Sequence, residues 1–184
     1  MSNSFTAIVD YGVGNLKSVT NAMTYLGMKT CITSDAMERL RAPGLDRVLA
    51  VQAEKKPILG ICLGMQLLFD EGEEVRACKG LGLVHGRVKR LKTDCKLPHI
   101  GWNSLRFQNG SPLFRGLEDG KYVYFVHSYC GVAADEGDVI ARTEYGPSVV
   151  AAVSHGTVFG CQFHPEKSGE TGLQILKNFG ELNQ

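Results

Sequence analysis

The sequence predicts an α/β fold: a central mixed, mostly parallel sheet flanked by helices, with a β-rich C-terminal half. Three observations carry that prediction. The chain opens as strand, Gly-rich turn, amphipathic helix and strand, an order that places helices over a parallel sheet. Its middle stretch, Pro57-Ile58-Leu59-Gly60-Ile61-Cys62-Leu63-Gly64-Met65-Gln66-Leu67-Leu68-Phe69, reads as a buried strand, a sharp turn and a helix. In the second half, short β-branched and aromatic runs alternate with turns such as Asn109-Gly110 and His155-Gly156.

Taken in order, Phe5 to Val9 is an apolar strand leading into Asp10-Tyr11-Gly12-Val13-Gly14-Asn15. Leu16, Val19, Met23 and Leu26 recur at helical spacing, Gly27 stops the helix, and Met28 to Thr33 form the second strand. Gly12-x-Gly14 lacks the third glycine of a dinucleotide fingerprint, so no such cofactor is predicted. Ala36 to Arg41 is a short helical piece broken by Pro43-Gly44, and Leu45, Val48 and Leu49 carry a helix to Lys55-Lys56. After the strand–turn–helix, the charged stretch Asp70 to Gly80 reads as a surface loop, and Gly82 to Leu91 as a strand with a basic outer face. Strands follow at Ser104 to Phe107, Tyr122 to Tyr129, Val139 to Thr143, Val149 to Val153 and Thr157 to Phe163. Ser154-His155-Gly156-Thr157 marks a hairpin, and a helix carrying Leu173, Ile175, Leu176 and Phe179 ends the chain after Gly172.

Composition bounds the function. The chain has 184 residues, 43% hydrophobic and 21% charged, which suits one domain over residues 1–184 with a sizeable core. A net charge of +1 argues against nucleic acid or an anionic membrane as the main partner. No apolar run is long enough to span a bilayer, and Met1-Ser2-Asn3-Ser4-Phe5 lacks the features of a signal peptide. The six cysteines form no C-x-x-C pair and no close Cys/His cluster, so neither zinc nor a disulfide framework is predicted; a reducing cytoplasm fits.

The chemistry concentrates at Cys62. Gly60-Ile61-Cys62-Leu63-Gly64 is the thiol counterpart of a nucleophile elbow, in which a tight strand-to-helix turn lifts the reactive group clear of the backbone. The following helix start favours a thiolate. The alternative is an inert core thiol. A reactive cysteine needs a base and a group to orient it. Of the five histidines, His85 and His155 read as structural or solvated, and His99 and His127 as core or supporting residues. His164 ends an apolar strand, and Pro165-Glu166 place a carboxylate two residues on, where it can hold the imidazole's tautomer.

Gly60 to Gln66 together with Gln162-Phe163-His164-Pro165-Glu166 resembles the class I (triad) glutamine amidotransferases. Asp10 to Leu16, Pro98-His99-Ile100-Gly101-Trp102-Asn103 and Tyr124-Phe125-Val126-His127-Ser128-Tyr129 are similar to stretches of the HisH glutaminase subunits of imidazole glycerol phosphate synthases. The resemblance runs nearly end to end. It implies that Cys62 attacks the glutamine amide, His164 relays protons and Glu166 orients His164. It further implies the Leu63 N–H as an oxyanion donor and Gln66, Glu74, Ser128 and Tyr129 as substrate-binding residues. Ammonia would pass to a HisF-like (β/α)8-barrel cyclase in a heterodimer that makes imidazole glycerol phosphate and an aminoimidazole carboxamide ribotide. Asn15, Trp102, Tyr124 and Lys167 match positions near that interface; for Trp102 and Tyr124 the other reading is a place in the core. For Gln66 the other reading is the helix surface, and for Glu74 a solvated loop. No cofactor is implied.

The sequence departs from the family at one place. Between the second strand and the elbow the family has a further strand ending in a Pro-Gly-Val-Gly loop, which is expected to supply an oxyanion N–H. Here Ser34-Asp35 runs directly into Ala36-Met37-Glu38, so about 20 residues of the family pattern are absent at that junction. The expectation is that the intact protein has those residues; a true deletion would instead leave a binding subunit without catalysis. Separately, the competing enzyme reading is another class I amidotransferase or a glutamyl hydrolase.

Overall fold

The computed structural model describes residues 6–10, 16–27, 30–34, 44–73 and 78–182. The chain opens with β1 (Thr6–Asp10), α1 (Leu16–Tyr25) and β2 (Thr30–Ser34), and β1 pairs with β2 in parallel. Gly27 adopts φ +73° where α1 ends. Gly44, also left-handed, precedes α2 (Leu45–Ala53). β3 (Ile58–Ile61) and α3 (Leu63–Leu68) flank Cys62, as the sequence predicts. The Asp35–Ala36 junction and the helical piece expected at Ala36 to Arg41 lie outside the described residues.

The stretch expected as a surface loop contains strands instead. β4 (Phe69–Gly72) and β5 (Cys78–Lys79) pair with each other, and β4 runs parallel to β6 (Val84–Arg90). Its charges mislead because Asp70 and Glu71 are exposed while Phe69 is fully buried. β7 begins at His99 (His99–Ser104), and the chain breaks at Leu105 before β8 (Arg106–Phe107). The run from Tyr122 is divided at Ser128 into β9 (Tyr122–His127) and β10 (Tyr129–Ala133), which belong to different sheets. β11 (Val139–Glu144), β12 (Ser148–His155) and β13 (Val158–Cys161) follow, with the expected hairpin between the last two. α4 (Gly169–Glu181) starts three residues before Gly172.

The two larger sheets are mixed. Strand order is β3-β13-β12-β11-β8 in the largest, β10-β6-β4-β5 in the second, and β7-β9 and β1-β2 in two ribbons. Parallel pairs are β1/β2, β3/β13 and β4/β6; the other pairs are antiparallel, because the second half folds back through short turns. Among the described residues β3 lies at a sheet edge.

β13 is buried along its whole length. Phe159 and Cys161 join a core with Ala22, Met23, Phe125, Phe163, Ile175, Leu176 and Phe179 under α1 and α4. Val158 joins the other, with Met65, Leu68, Phe69, Val84, Val88 and Val153. Alternation along a strand puts neighbouring side chains on opposite faces. Close approaches then fix the site. Gly60 and Gly160 are register partners on β3 and β13. A Cβ on Gly60 would lie 2.6 Å from the backbone of Gly64, so α3 sits directly on the sheet. A Cβ on Gly172 would meet the Pro165 carbonyl, so α4 packs against the turn after His164. Because backbone cannot rotate away, Gly60→Ala is expected to lower the unfolding free energy by about 1–3 kcal/mol, read from denaturant midpoints.

Candidate active site

Cys62 follows the last residue of β3 in a conformation that few side chains adopt, φ 53° and ψ −108°. Such a backbone costs on the order of 1–3 kcal/mol and is held only by its surroundings. Here the Cys62 N–H donates to the Cys161 carbonyl (2.7 Å), and the Cys62 carbonyl accepts from the Gln66 N–H (3.2 Å). The thiol is part-buried. Its Sγ lies 3.8 Å from the Val126 carbonyl and 3.9 Å from Gln162 Nε2, both at sulfur hydrogen-bond range.

His164 arrives from the neighbouring strand. Its N–H donates to the Tyr124 carbonyl (2.9 Å), and its own carbonyl accepts from the Ser168 hydroxyl (2.6 Å). A short 3-10 turn, Pro165–Lys167, folds Glu166 back onto the ring, so that His164 Nδ1 lies 2.7 Å from Glu166 Oε1. Both side chains are buried, with 10% and 1% exposure. Burial alone lowers the imidazole's pKa; the Cys62 and Glu166 side chains more than reverse this and raise it to about 9. With Glu166 accepting the Nδ1 proton, Nε2 is the nitrogen left for the thiol. Among the described residues Nε2 has no hydrogen-bond partner within normal limits, and catalytic hydrogen bonds commonly tighten only when substrate is bound.

Gln66, one helical turn after Cys62, is buried rather than on the helix surface. Its Nε2 donates to the Tyr129 carbonyl (3.2 Å) and to Gln162 Oε1 (3.3 Å), while its Oε1 is buried without a partner. Tyr129 and Ser128 lie at the start of β10 and just before it. Leu63 opens α3 directly after Cys62. Glu74 and Asn15 lie outside the described residues. Trp102 is not a core residue: it is 55% exposed, stands edge-to-face on Tyr124 at 6.0 Å, and Lys167 Nζ lies 5.9 Å from the Tyr124 ring centroid.

Several contributors escaped the sequence reading. Gln162 bridges Gln66 and Cys62, and the Ser168 hydroxyl ties Tyr124 to His164. The available signal was a glutamine in an otherwise apolar strand end, two residues before the histidine. His99 and His127 form a buried, hydrogen-bonded pair. Elsewhere, a cavity of about 420 Å³ lined by residues such as Phe107, Pro112 and Phe114 offers no thiol or imidazole. Among the described residues no cluster of metal-ligating side chains occurs, and no helix is long and apolar enough to cross a membrane.

A strained cysteine at the end of one parallel strand, facing a carboxylate-held histidine from the next, defines a class. Residues 38–182 match the family model for glutamine amidotransferase class-I, and the chain belongs to that family. Within it, the chain is 47% identical to the imidazole glycerol phosphate synthase subunit HisH of Bacillus cereus strain G9842, over 94% of this chain and 92% of that protein. It is 44% identical to the HisH subunit of Bacillus mycoides strain KBAB4 over the same shares. The fold is shared more widely. A glutamine amidotransferase crystal structure superposes with a TM-score of 0.71 at 19% identity, covering 95% of this chain and 98% of that one. The glutaminase domain of Trypanosoma brucei CTPS does so with 0.59 at 16% identity, covering 97% and 94%.

The Bacillus cereus comparison runs over 194 aligned positions, whereas 94% of 184 residues is about 173. About 21 positions of that relative therefore have no counterpart in this chain, close to the shortfall expected at Asp35–Ala36.

The raised pKa of His164 sets a pH dependence. Between the ordinary value of 6.5 and about 9, the folded chain holds a proton that the unfolded chain has released. Stability from this group is complete below about 6.5 and is lost as pH rises through about 9. Urea midpoints are expected to fall over that window, and the fall to flatten in His164→Asn.

Proposed function

We propose that the chain is the glutaminase subunit of an imidazole glycerol phosphate synthase, acting in histidine biosynthesis. It hydrolyses L-glutamine to glutamate and ammonia and passes the ammonia to a (β/α)8-barrel cyclase partner. The array of Cys62, His164 and Glu166 carries this reading, and the 47% identity to a HisH subunit over 94% of the chain supports it.

The steps follow from the residue types. The Cys62 thiolate attacks the side-chain amide carbon, and the oxyanion takes a hydrogen bond from the Leu63 N–H. His164, as imidazolium, gives its Nε2 proton to the departing nitrogen; the C–N bond breaks, and ammonia and a glutamyl thioester result. Neutral His164 then accepts a proton from water as its oxygen attacks the thioester, releasing glutamate and the thiolate. Glu166 accepts the hydrogen bond from His164 Nδ1–H throughout. Gln66, Glu74, Ser128 and Tyr129 bind the substrate's polar ends. The buried, unpartnered Oε1 of Gln66 suits an ammonium donor, since an acceptor left bare in the interior is costly. In Cys62→Ser, glutamate release is expected to fall by at least about 10³-fold, with binding of the cyclase subunit retained. Retained turnover would remove Cys62 as the nucleophile.

The partner surface is the outer face of the β7–β9 ribbon. Ile100, Trp102 and Tyr122 are exposed there, Tyr124 is paired with Trp102 in register, and Lys167 stands beside them. Exposed aromatics of this kind are typical interface anchors. The ribbon is thin: the Val126 carbonyl of β9 reaches Cys62 Sγ, so the patch lies one strand from the nucleophile. Trp102→Ala is expected to weaken cyclase binding by about 30-fold or more in calorimetric titration, with the melting temperature unchanged.

A further inference from the structure

The interior face of the same ribbon carries two histidines that the mechanism does not use. His99 and His127 are cross-strand partners on β7 and β9, 2% and 5% exposed. His99 Nδ1 lies 3.0 Å from His127 Nε2, and His127 Nδ1 lies 2.8 Å from the Tyr129 carbonyl. The His99 ring is stacked against Phe125 and Tyr145, with centroids 4.7 and 3.8 Å away.

The acceptor at the end of this chain fixes every proton in it. A carbonyl only accepts, so His127 Nδ1 carries the hydrogen. In neutral His127 the Nε2 is then bare and accepts, so His99 Nδ1 must donate. The Tyr129 carbonyl also receives the Gln66 amide (3.2 Å). Both protons of the Gln66 Nε2 are therefore directed, one to Tyr129 and one to Gln162 Oε1, which leaves Gln66 Oε1 buried and, among the described residues, without a partner. Gln162 in turn presents its Nε2 to Cys62 Sγ at 3.9 Å.

We propose that His99 and His127 are positioning residues, a pair of imidazoles in fixed tautomers that aims the Tyr129 carbonyl and through it the Gln66 amide at the substrate. This rests on the reading of Gln66 as a glutamine-binding residue. The groups around the pair favour its neutral form. Burial first, and then His127, bring the His99 pKa down to about 4. Burial also lowers His127; its bond to Tyr129 acts the other way, and the nearby His164 adds to the lowering. Tyr145 faces His99 by its ring. The neutral state is the one in which the hydrogen-bond order above holds.

Two measurements on the full chain test this. In ¹⁵N-histidine NMR near pH 7, both His99 and His127 are expected as neutral rings protonated at Nδ1; an Nε2-protonated His127 would overturn the proposal. This readout does not depend on turnover, so absent glutamine hydrolysis in the wild type would sink the functional reading and leave the relay standing. With the cyclase subunit present, His99→Phe keeps the stacked ring and deletes the donor. It is expected to raise the KM for glutamine about tenfold and to change kcat by less than about threefold, the size of one lost hydrogen bond. His99→Asn, whose amide donates from the position of Nδ1, is expected to restore most of the loss. Melting temperatures that fall in both variants while KM stays constant would reduce the pair to a structural role and refute the proposal.

Discussion

The parallel pairing of β3 with β13 is the constraint on which the rest of the site depends. The register sets Ile58 beside Val158 and Ile61 beside Cys161. Both strands therefore end at the same level, and the bond from the Cys62 N–H to the Cys161 carbonyl continues the ladder one step past β3. From that level one chain turns into α3 and the other runs on to His164. Parallel sheets place ligand chemistry at the carboxyl ends of their strands for this reason: the loops leaving adjacent strands converge there. Gly60 and Gly160, opposed in the register, let α3 descend onto the sheet and hold Cys62 in its unfavourable conformation.

Around that pair, polar groups are arranged so that few degrees of freedom remain. Glu166 fixes one nitrogen of His164, and the Ser168 hydroxyl fixes its backbone and that of Tyr124. Gln162 and Gln66 share an amide–amide bond beside the thiol. In an interior of low dielectric, satisfied polar networks are rigid, and unsatisfied atoms within them are conspicuous. The bare atoms here are Gln66 Oε1, His164 Nε2 and Glu166 Oε2. The first two are where the proposed chemistry requires a ligand or a transferable proton.

Much of this was legible in the sequence because it is local. The elbow, the His-Pro-Glu turn and the opening β-α-β unit each lie within a short window, and each uses residues whose backbone preferences are strong. The strands at Phe69–Gly72 and Cys78–Lys79 are hidden in the sequence because Asp70, Glu71 and Lys79 are charged and exposed, which by composition alone looks like a loop. The sequence places a strand only at Ser104 to Phe107, not over His99–Ser104, because Gly101 and the preceding proline resemble turn signals. The environments of Trp102 and Gln66 depend on pairings between distant segments, β7 with β9 and α3 with β10, and periodicity does not report those. The histidine pair was invisible for the same reason, since its members are 28 residues apart.

β3 ends the five-stranded sheet among the described residues, and that has a consequence for the behaviour of the protein in concentrated solution. Ile58-Leu59-Gly60-Ile61 is a short, uncharged, apolar strand with one flank unpaired among the described residues. Such edges recruit strands from other molecules. The residues just before it, Lys55-Lys56-Pro57, are the kinds that oppose such recruitment: two like charges that repel an approaching copy, and a proline that cannot extend the ladder. The strand that leads to the nucleophile is thereby, among the described residues, also an apolar edge, and the three residues that lead into it guard against self-association.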